Sequence, residues 1–519
     1  MPTGPAPAHA AATRMPAAAP APGMEHPIAA PDATTEVPPS PLRRRIGLAA
    51  GAFLFLLVLL LPWGAPPAAR RTAAVALLMA VWWMTEAVPL AATALLPLVL
   101  FPALGVLRPE PAAAPYANPV IFLFLGGFLL AAAMERSGLH RRVALAVVAR
   151  AGASPRRLVL GFMAATAFVS LWISNTATAA MMLPIGLALA GLLRPPEPGA
   201  RFPFGAALML GIAYAATIGG IGTLSGTPPN AVFAAAVRET LGREIGFLPW
   251  MAVGLPVVAL LLPAAWALLV HVFFRPGPLP AGAAELVAAE RARLGPATPA
   301  ERRTGLVFLA TALGWLFREP KEIGAVHVPG LAELVPGIDD STIAVAGALA
   351  LFLLPAGRGA RGALLDWAAA RRIPWGVLLL FGGGLSLARA FDESGLTALV
   401  AHAVAGLGGL PGPLLVALVA ASLIFLSELA SNTAVAAMAM PLLAAAAAGV
   451  GLDPVVLMAA GALAASTAFM LPVGTPPNAL AFGTGYVRMG EMIRAGFWLN
   501  LLSVAVVTAA AWVLAPRVF

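Results

Sequence analysis

The sequence predicts an all-α polytopic membrane protein with about eleven transmembrane helices plus two re-entrant helical hairpins. Three observations carry that prediction. Of the 519 residues, 60% are hydrophobic and 11% charged, far from the roughly 25% charged residues of soluble domains. Apolar runs near the ~20 residues that cross a bilayer as a helix recur along the chain, beginning with IGLAAGAFLFLLVLLLPW at residues 46–63. Period-2 alternation, the mark of a membrane barrel, is absent, and a spanning helix satisfies its own backbone hydrogen bonds.

Residues 1–45 read as a disordered cytoplasmic tail, rich in Ala and Pro, without hydrophobic periodicity, and ending in Arg43, Arg44 and Arg45. The apolar segment behind it comes too late and runs too long for a cleaved signal peptide. A first transmembrane helix is expected over residues 46–66, followed by repeat 1 over 67–275, a cytoplasmic linker over 276–303 and repeat 2 over 304–519. The linker is assigned from RPGPLP and AAERARLGP, the most polar long stretch after the tail.

The repeats rest on three matched pairs. FLFLGGFLLAAAMERSGL (122–139) pairs with LLLFGGGLSLARAFDESGL (378–396), SNTATAAMMLP with SNTAVAAMAMP, and GTPPNAVFA with GTPPNALAF. Their order is the same in both halves and their offsets agree to within ten residues, which chance does not supply. Five spans separate corresponding points, and an odd number reverses orientation, so the repeats are expected to be inverted. Most of the 32 basic residues then fall on the cytoplasmic side when the N-terminus is inside and the C-terminus outside, with Arg70 and Arg71 against the trend. The net charge of +9 is thus a matter of topology, and no nucleic-acid partner is expected.

The chain has no Cys, which excludes disulfides, thiolate metal sites and cysteine nucleophiles, and its six His residues lack ligand spacing. The functional signal lies elsewhere. Residues 156–193 and 411–448 are each too long for one crossing and carry a polar tripeptide near the centre: Ser174, Asn175 and Thr176, then Ser431, Asn432 and Thr433. Each reads as a re-entrant hairpin whose tip exposes backbone groups, tolerated at that depth only where it is buried in protein or lines a cavity. Gly226-Thr227-Pro228-Pro229-Asn230 and Gly474-Thr475-Pro476-Pro477-Asn478 break a second pair of helices, because paired prolines remove donors and free carbonyls.

Two tips and two breaks supply neutral oxygens from Ser, Thr, Asn and backbone carbonyls, with no carboxylate inside either motif. That donor set suits an alkali cation better than Ca²⁺ or Mg²⁺. Helix N-termini at the same tips offer amides and positive dipole ends to an anion. The competing reading is interhelical glue, worth on average about 0.6 kcal/mol per contact; duplication beside duplicated breakers favours a site. Glu86, in WWMTEAVPL, is a functional candidate as an ionisable residue in an apolar span, but with Pro89 ending that helix an interface role is the better reading. Glu428 reads equally as tuning the second site or stabilising its tip. The segments after Glu135 and Glu393, HRRVALAVVARAG and LTALVAHAVAGLGG, are too short to span and read as interfacial arms.

WWMTEAVPLAATALLP, both SNT tripeptides and both GTPPN motifs resemble the divalent anion/sodium symporter family within the ion transporter superfamily, from about residue 46 to the C-terminus. The resemblance implies a homodimer in the cytoplasmic (inner) membrane, each protomer with a scaffold domain and a transport domain that moves as an elevator. It implies sodium-coupled uptake of dicarboxylates, tricarboxylates or sulfate. By motif, one sodium site comprises Ser170, Ser174, Asn175 and the backbone near Gly226, and its counterpart Ser427, Ser431, Asn432 and the backbone near Gly474. Asn175, Thr176, Asn432, Thr433, Thr227 and Thr475 are expected to meet the substrate.

Intact sodium motifs favour symport over exchange, and the lack of a large soluble insertion favours carboxylates, with a C4 dicarboxylate expected and citrate, 2-oxoglutarate and sulfate open. No basic side chain in the motifs balances a dianion, so charge compensation falls to the cations, and a third sodium would make transport electrogenic. A membrane enzyme would need a nucleophile, base or metal set that neither motif contains. An anion channel on the same fold is the other rival, separable because a channel cannot concentrate its substrate.

Overall fold

The structure is a computed structural model that describes residues 40–61, 64–150, 154–192, 202–277, 283–323, 326–357 and 362–519. Residues 1–39 of the expected tail and 278–282 of the expected linker lie outside the described residues. The fold is built almost entirely from helices. Among the described residues five are long and apolar enough to cross a membrane: Pro109–Ser137, Pro203–Gly220, Phe247–Phe273, Asn432–Val450 and Met489–Val518. Shorter apolar helices include Leu90–Ala103, Asn175–Gly191, Asp340–Leu353, Gly412–Ser427 and Pro454–Ala465.

The first helix, Pro41–Leu60, begins inside the segment expected to be tail and runs through Arg43–Arg45. Ser40 explains the earlier start: its side chain accepts from Arg43 N, and Pro41 occupies the first turn, where its missing N–H costs nothing. The expected linker contains the helix Ala283–Arg293. The next helix, Pro299–Leu316, opens on a capping box formed by Thr298 and Glu301. A two-stranded antiparallel ribbon, Lys321–Ile323 with Val326–Val328, departs from the all-α expectation. Its β-branched residues Ile323, Val326 and Val328 flank Gly324 in KEIGAVHV, a hairpin pattern too short to stand out in an apolar chain.

Helices and breaks follow one order in each half. Pro119–Ser137, Leu139–Val148, Pro155–Ser170, Asn175–Leu192, Pro203–Gly220, Pro228–Leu241 and Phe247–Ala267 are followed later by Trp375–Glu393, Leu396–Val404, Gly412–Ser427, Asn432–Val450, Pro454–Ala465, Pro476–Gly483 and Met489–Ala509. The last member of each series runs on into a π-helical stretch, Leu268–Phe273 or Ala510–Leu514.

Glycines allow the closest helix approaches. A Cβ on Gly126 would stand 2.6 Å from the Ala344 backbone, and one on Gly383 would stand 2.5 Å from the Ala94 carbonyl oxygen. The core sits on the two broken helices: every residue from Phe204 to Gly220 and from Val455 to Ala465 is buried. The first break, residues 221–227, is buried throughout, the condition under which non-helical backbone is stable in an apolar surround, whereas the second turns Val473 outward at 75% exposure.

Candidate functional site

The first tip lies between Pro155–Ser170 and Asn175–Leu192, so Ser170 is the last residue of one helix and Asn175 the first of the next. Ser174 caps the second helix, its Oγ accepting from Ala177 N at 3.3 Å. Ser170 Oγ lies 2.8 Å from Asn175 Oδ1 and 2.6 Å from the Ala216 carbonyl oxygen. A hydroxyl carries one proton and can serve only one of these acceptors. The cluster is therefore richer in oxygen than in donors, the electrostatic character of a cation site.

The first break, residues 221–227, packs onto that cluster. A Cβ on Gly220 would meet Asn175 Oδ1 at 2.3 Å, and one on Gly226 would meet the Gly220 carbonyl oxygen at 2.5 Å. A side chain at Gly220 would displace Asn175 of the tip, and one at Gly226 would displace the helix end at Gly220. The freed carbonyls are gathered by Asn230, whose Nδ2 lies 2.7 Å from Thr223 O, 3.1 Å from Gly220 O and 3.3 Å from Ile221 O. Trp250 Nε1 donates to Ile221 O at 2.9 Å, and the Thr223 hydroxyl donates to Leu171 O, fastening break to tip. Thr227 is buried and opens the helix Pro228–Leu241, with both prolines in its first turn.

The second tip lies between Gly412–Ser427 and Asn432–Val450, with Ser431 at the N-cap. Here the corresponding oxygens stay apart. Ser427 Oγ, Asn432 Oδ1 and Thr475 Oγ1 are buried and accept or donate no hydrogen bond among the described residues. Buried polar atoms are normally satisfied, so three orphaned oxygens at one tip and break fit a ligand that binds oxygen. Asn478 Nδ2 donates to Leu471 O at 3.1 Å and reaches Ala468 O at 3.4 Å, as Asn230 does in the first break.

Glu428 occupies the turn of this tip and is 3% exposed. Its Oε1 accepts from Phe469 N at 2.6 Å, Met470 N at 2.8 Å and Asn500 Nδ2 at 2.8 Å, and its Oε2 from Leu471 N at 2.9 Å. Bonds of this kind to a carboxylate are about twice as strong as neutral ones. A Cβ on Gly474 would come within 2.9 Å of Glu428 Oε2, so Gly474 lies directly against the carboxylate.

Each tip thus meets its own break. Across halves the contact is between helices: Asn175–Leu192 packs on Pro476–Gly483, and Asn432–Val450 packs on Pro228–Leu241. Ser174, Asn175, Thr176, Ser431, Asn432 and Thr433 are all half-buried, whereas the helices leading into the breaks are buried from Phe204 and from Val455 onward. Thr176 and Thr433 are the second residues of their helices, a position at which a hydroxyl and first-turn amides are able to meet an anion together.

Glu86 is in neither cluster. It ends the helix Pro67–Thr85 in the left-handed conformation, with φ +51°. Arg43 Nη2 donates to the neighbouring Met84 O at 2.7 Å and to Leu429 O in the second tip at 3.2 Å. Asn230, Asn478, Gly220, Trp250 and Asn500 were not singled out as site residues from the sequence. Only the two asparagines carried a signal, as the last residues of the repeated GTPPN motifs.

The profile of the sodium:sulfate symporter transmembrane region matches residues 43–515. The chain belongs to this family. Among relatives of this sodium:sulfate symporter family member, the sodium-dependent dicarboxylate transporter SdcS of Staphylococcus saprophyticus is 42% identical over 483 residues, covering 91% of this chain and 92% of that protein. SdcS of Staphylococcus aureus is likewise 42% identical, covering 91% of each. The fold is also that of the Alcanivorax borkumensis YdaH transporter, whose crystal structure aligns with a TM-score of 0.52 at 16% identity over 84% of this chain and 97% of that one.

Proposed function

We propose that this family member is a secondary active symporter that uses sodium to import C4 dicarboxylates such as succinate, malate and fumarate. The observation that carries the reading is the oxygen cluster of Ser170, Asn175 and Ala216, with its counterpart of orphaned oxygens at Ser427, Asn432 and Thr475. Both sets are neutral, as a monovalent, weakly held cation requires. Ser174, Gly226, Ser431 and Gly474 complete the two sodium sites. Asn175, Thr176, Thr227, Asn432, Thr433 and Thr475 bind the carboxylates, with two helix N-termini supplying amides. The naming of the relatives as sodium-dependent dicarboxylate transporters supports the substrate class.

In this reading the two helical series are inverted repeats in a membrane protein of about eleven spans, with both hairpins re-entrant. The N-terminus is cytoplasmic, the C-terminus outside, and the membrane is the inner one. The hairpins and broken helices move as a transport domain against a scaffold, in a homodimer, and the protein is not an enzyme. A second reading, sulfate as the anion, is favoured by the family to which the chain belongs. Radiolabelled succinate uptake into proteoliposomes with unlabelled malate, fumarate, citrate, 2-oxoglutarate and sulfate as competitors tests both. Competition by C4 dicarboxylates alone supports the first; competition by sulfate alone supports the second.

A further inference from the structure

Between their paired serines the tips read Ser170-Leu-Trp-Ile-Ser174 and Ser427-Glu-Leu-Ala-Ser431, and of the three differences one places an ionisable side chain in the second tip alone. Where the second tip has Glu428, directly after Ser427, the first has Leu171, directly after Ser170. Leu171 contributes only its carbonyl, which the Thr223 hydroxyl caps. Glu428 contributes a carboxylate, buried and met by four donors from two elements: the amides of Phe469, Met470 and Leu471 in the second break, and Asn500 in the helix Met489–Ala509.

Placing a carboxylate in an apolar surround is costly, and four donors compensate its hydrogen bonding without cancelling its charge. No Arg, Lys or His pairs with Glu428 in any ion pair among the described residues. On the same tip, Ser427 Oγ and Asn432 Oδ1 are oxygens without partners. A carboxylate without an ion-pair partner among the described residues, beside orphaned oxygens, is an arrangement that favours a cation, even with the Arg43 guanidinium on the neighbouring Leu429 carbonyl.

We propose that Glu428 is a positioning residue that sets sodium affinity at the second tip and makes the two cation sites unequal. It does so in two ways. Its carboxylate holds the segment Phe469–Leu471 and Gly474 against the tip, fixing the backbone that faces Ser427 and Asn432. Its charge lowers the energy of a cation bound there, an advantage the first tip lacks. The second site fills at the lower sodium concentration and the first at the higher one. Glu428 itself touches neither ion nor substrate. The inference rests on the sodium-symport reading of the same tips.

The test is Glu428→Gln in the full-length protein, read by the sodium dependence of succinate uptake in proteoliposomes and by sodium-dependent thermal stabilisation in detergent. Gln keeps the shape, removes the charge and offers one acceptor and one NH₂ group to four donors. The expected result is about a tenfold or greater rise in half-saturating sodium, as loss of a nearby charge in a poorly screened surround requires, with the half-saturating succinate concentration at saturating sodium little changed. A purely structural role would lower the maximal rate and leave sodium affinity alone, which overturns the proposal.

Asn500→Ala removes one donor and leaves the charge, so it decides the matter if Glu428→Gln does not fold. A smaller rise in half-saturating sodium, about threefold for a bond to a charged group partly replaced by its neighbours, supports the proposal, and unchanged sodium affinity overturns it. Wild-type uptake indifferent to sodium would overturn the symport reading and this inference with it. Sodium-dependent wild-type uptake with an unaltered Glu428→Gln variant would overturn this inference alone.

Discussion

Ser170 and Asn175 face each other across the first tip, Oγ to Oδ1 at 2.8 Å, each at the end of a different helix. Their counterparts Ser427 and Asn432 each keep an oxygen without a hydrogen-bond partner. One pair is thus joined by a hydrogen bond and the other is not, although the tripeptides that follow are identical. Asn175→Ala and Asn432→Ala each remove an amide oxygen that backbone cannot replace, and each is expected to abolish sodium-dependent uptake in a protein that still elutes as a folded species. Wild-type rates in both variants would reduce the tripeptides to packing.

Glycine spacing at the first break makes a sharper test. An alanine at Gly226 would press on the Gly220 carbonyl at 2.5 Å, and that contact is backbone, so the break must shift. Gly226→Ala is expected to cost about 1–3 kcal/mol of strain and to raise half-saturating sodium about tenfold or more. Gly490→Ala, at a position with nothing within 4 Å, serves as the control and should transport as the parent does.

Outside the membrane-spanning segments, Arg142 joins the arm Leu139–Val148 to the start of Pro299–Leu316. It grips Glu301 with two bonds, Nε to Oε1 at 2.9 Å and Nη2 to Oε2 at 3.0 Å, and donates to Gly295 O at 2.9 Å. Burial pushes the Glu301 carboxyl up, but the bonds from Arg142 and Thr298 outweigh it and hold the group below its usual value. The stabilisation is therefore complete above the ordinary glutamate range and is lost as pH falls through the lowered value. Arg142→Ala is expected to lower stability by about 2 kcal/mol at neutral pH, with a smaller difference from the parent at pH 3, in thermal unfolding followed at both pH values.

The proposed sliding of the hairpins has its own test. A Cβ on Gly384, in Trp375–Glu393, would lie 3.2 Å from the Cβ of Ala437, in the second hairpin, close to disulfide spacing. The chain contains no native cysteine. Oxidising the Gly384→Cys/Ala437→Cys pair should arrest uptake and reduction restore it, if the hairpin slides against that helix. Full uptake after complete cross-linking would exclude such a slide.

The helix breaks were legible because their chemistry is local. Two adjacent prolines after Gly-Thr, or a polar tripeptide inside an apolar run, announce themselves at any depth, and the helices end at Ser170, Gly220, Ser427 and Ala465 beside those signals. What holds the breaks in place was not legible. Glu428 finds its partners 41 to 43 residues away on the backbone and 72 residues away at Asn500, and backbone amides leave no trace in composition. Trp250 likewise reaches Ile221 from 29 residues downstream. The start of the first helix at Pro41 was missed because three arginines mask a helix that Ser40 and Pro41 had already opened.

Sodium-driven accumulation of succinate separates a symporter from a channel and from a proton-coupled carrier. Two sodium ions would balance one dianion, and a third would carry one net positive charge inward per cycle. An inside-negative potential would then assist uptake by about 2.3 kcal/mol per 100 mV, close to fifty-fold in attainable gradient. The measurement is labelled succinate accumulation in proteoliposomes under an inward sodium gradient, with and without a valinomycin-imposed potassium diffusion potential. Accumulation is expected to require sodium and to rise when the interior is negative. Accumulation driven by a proton gradient and indifferent to sodium would contradict that expectation.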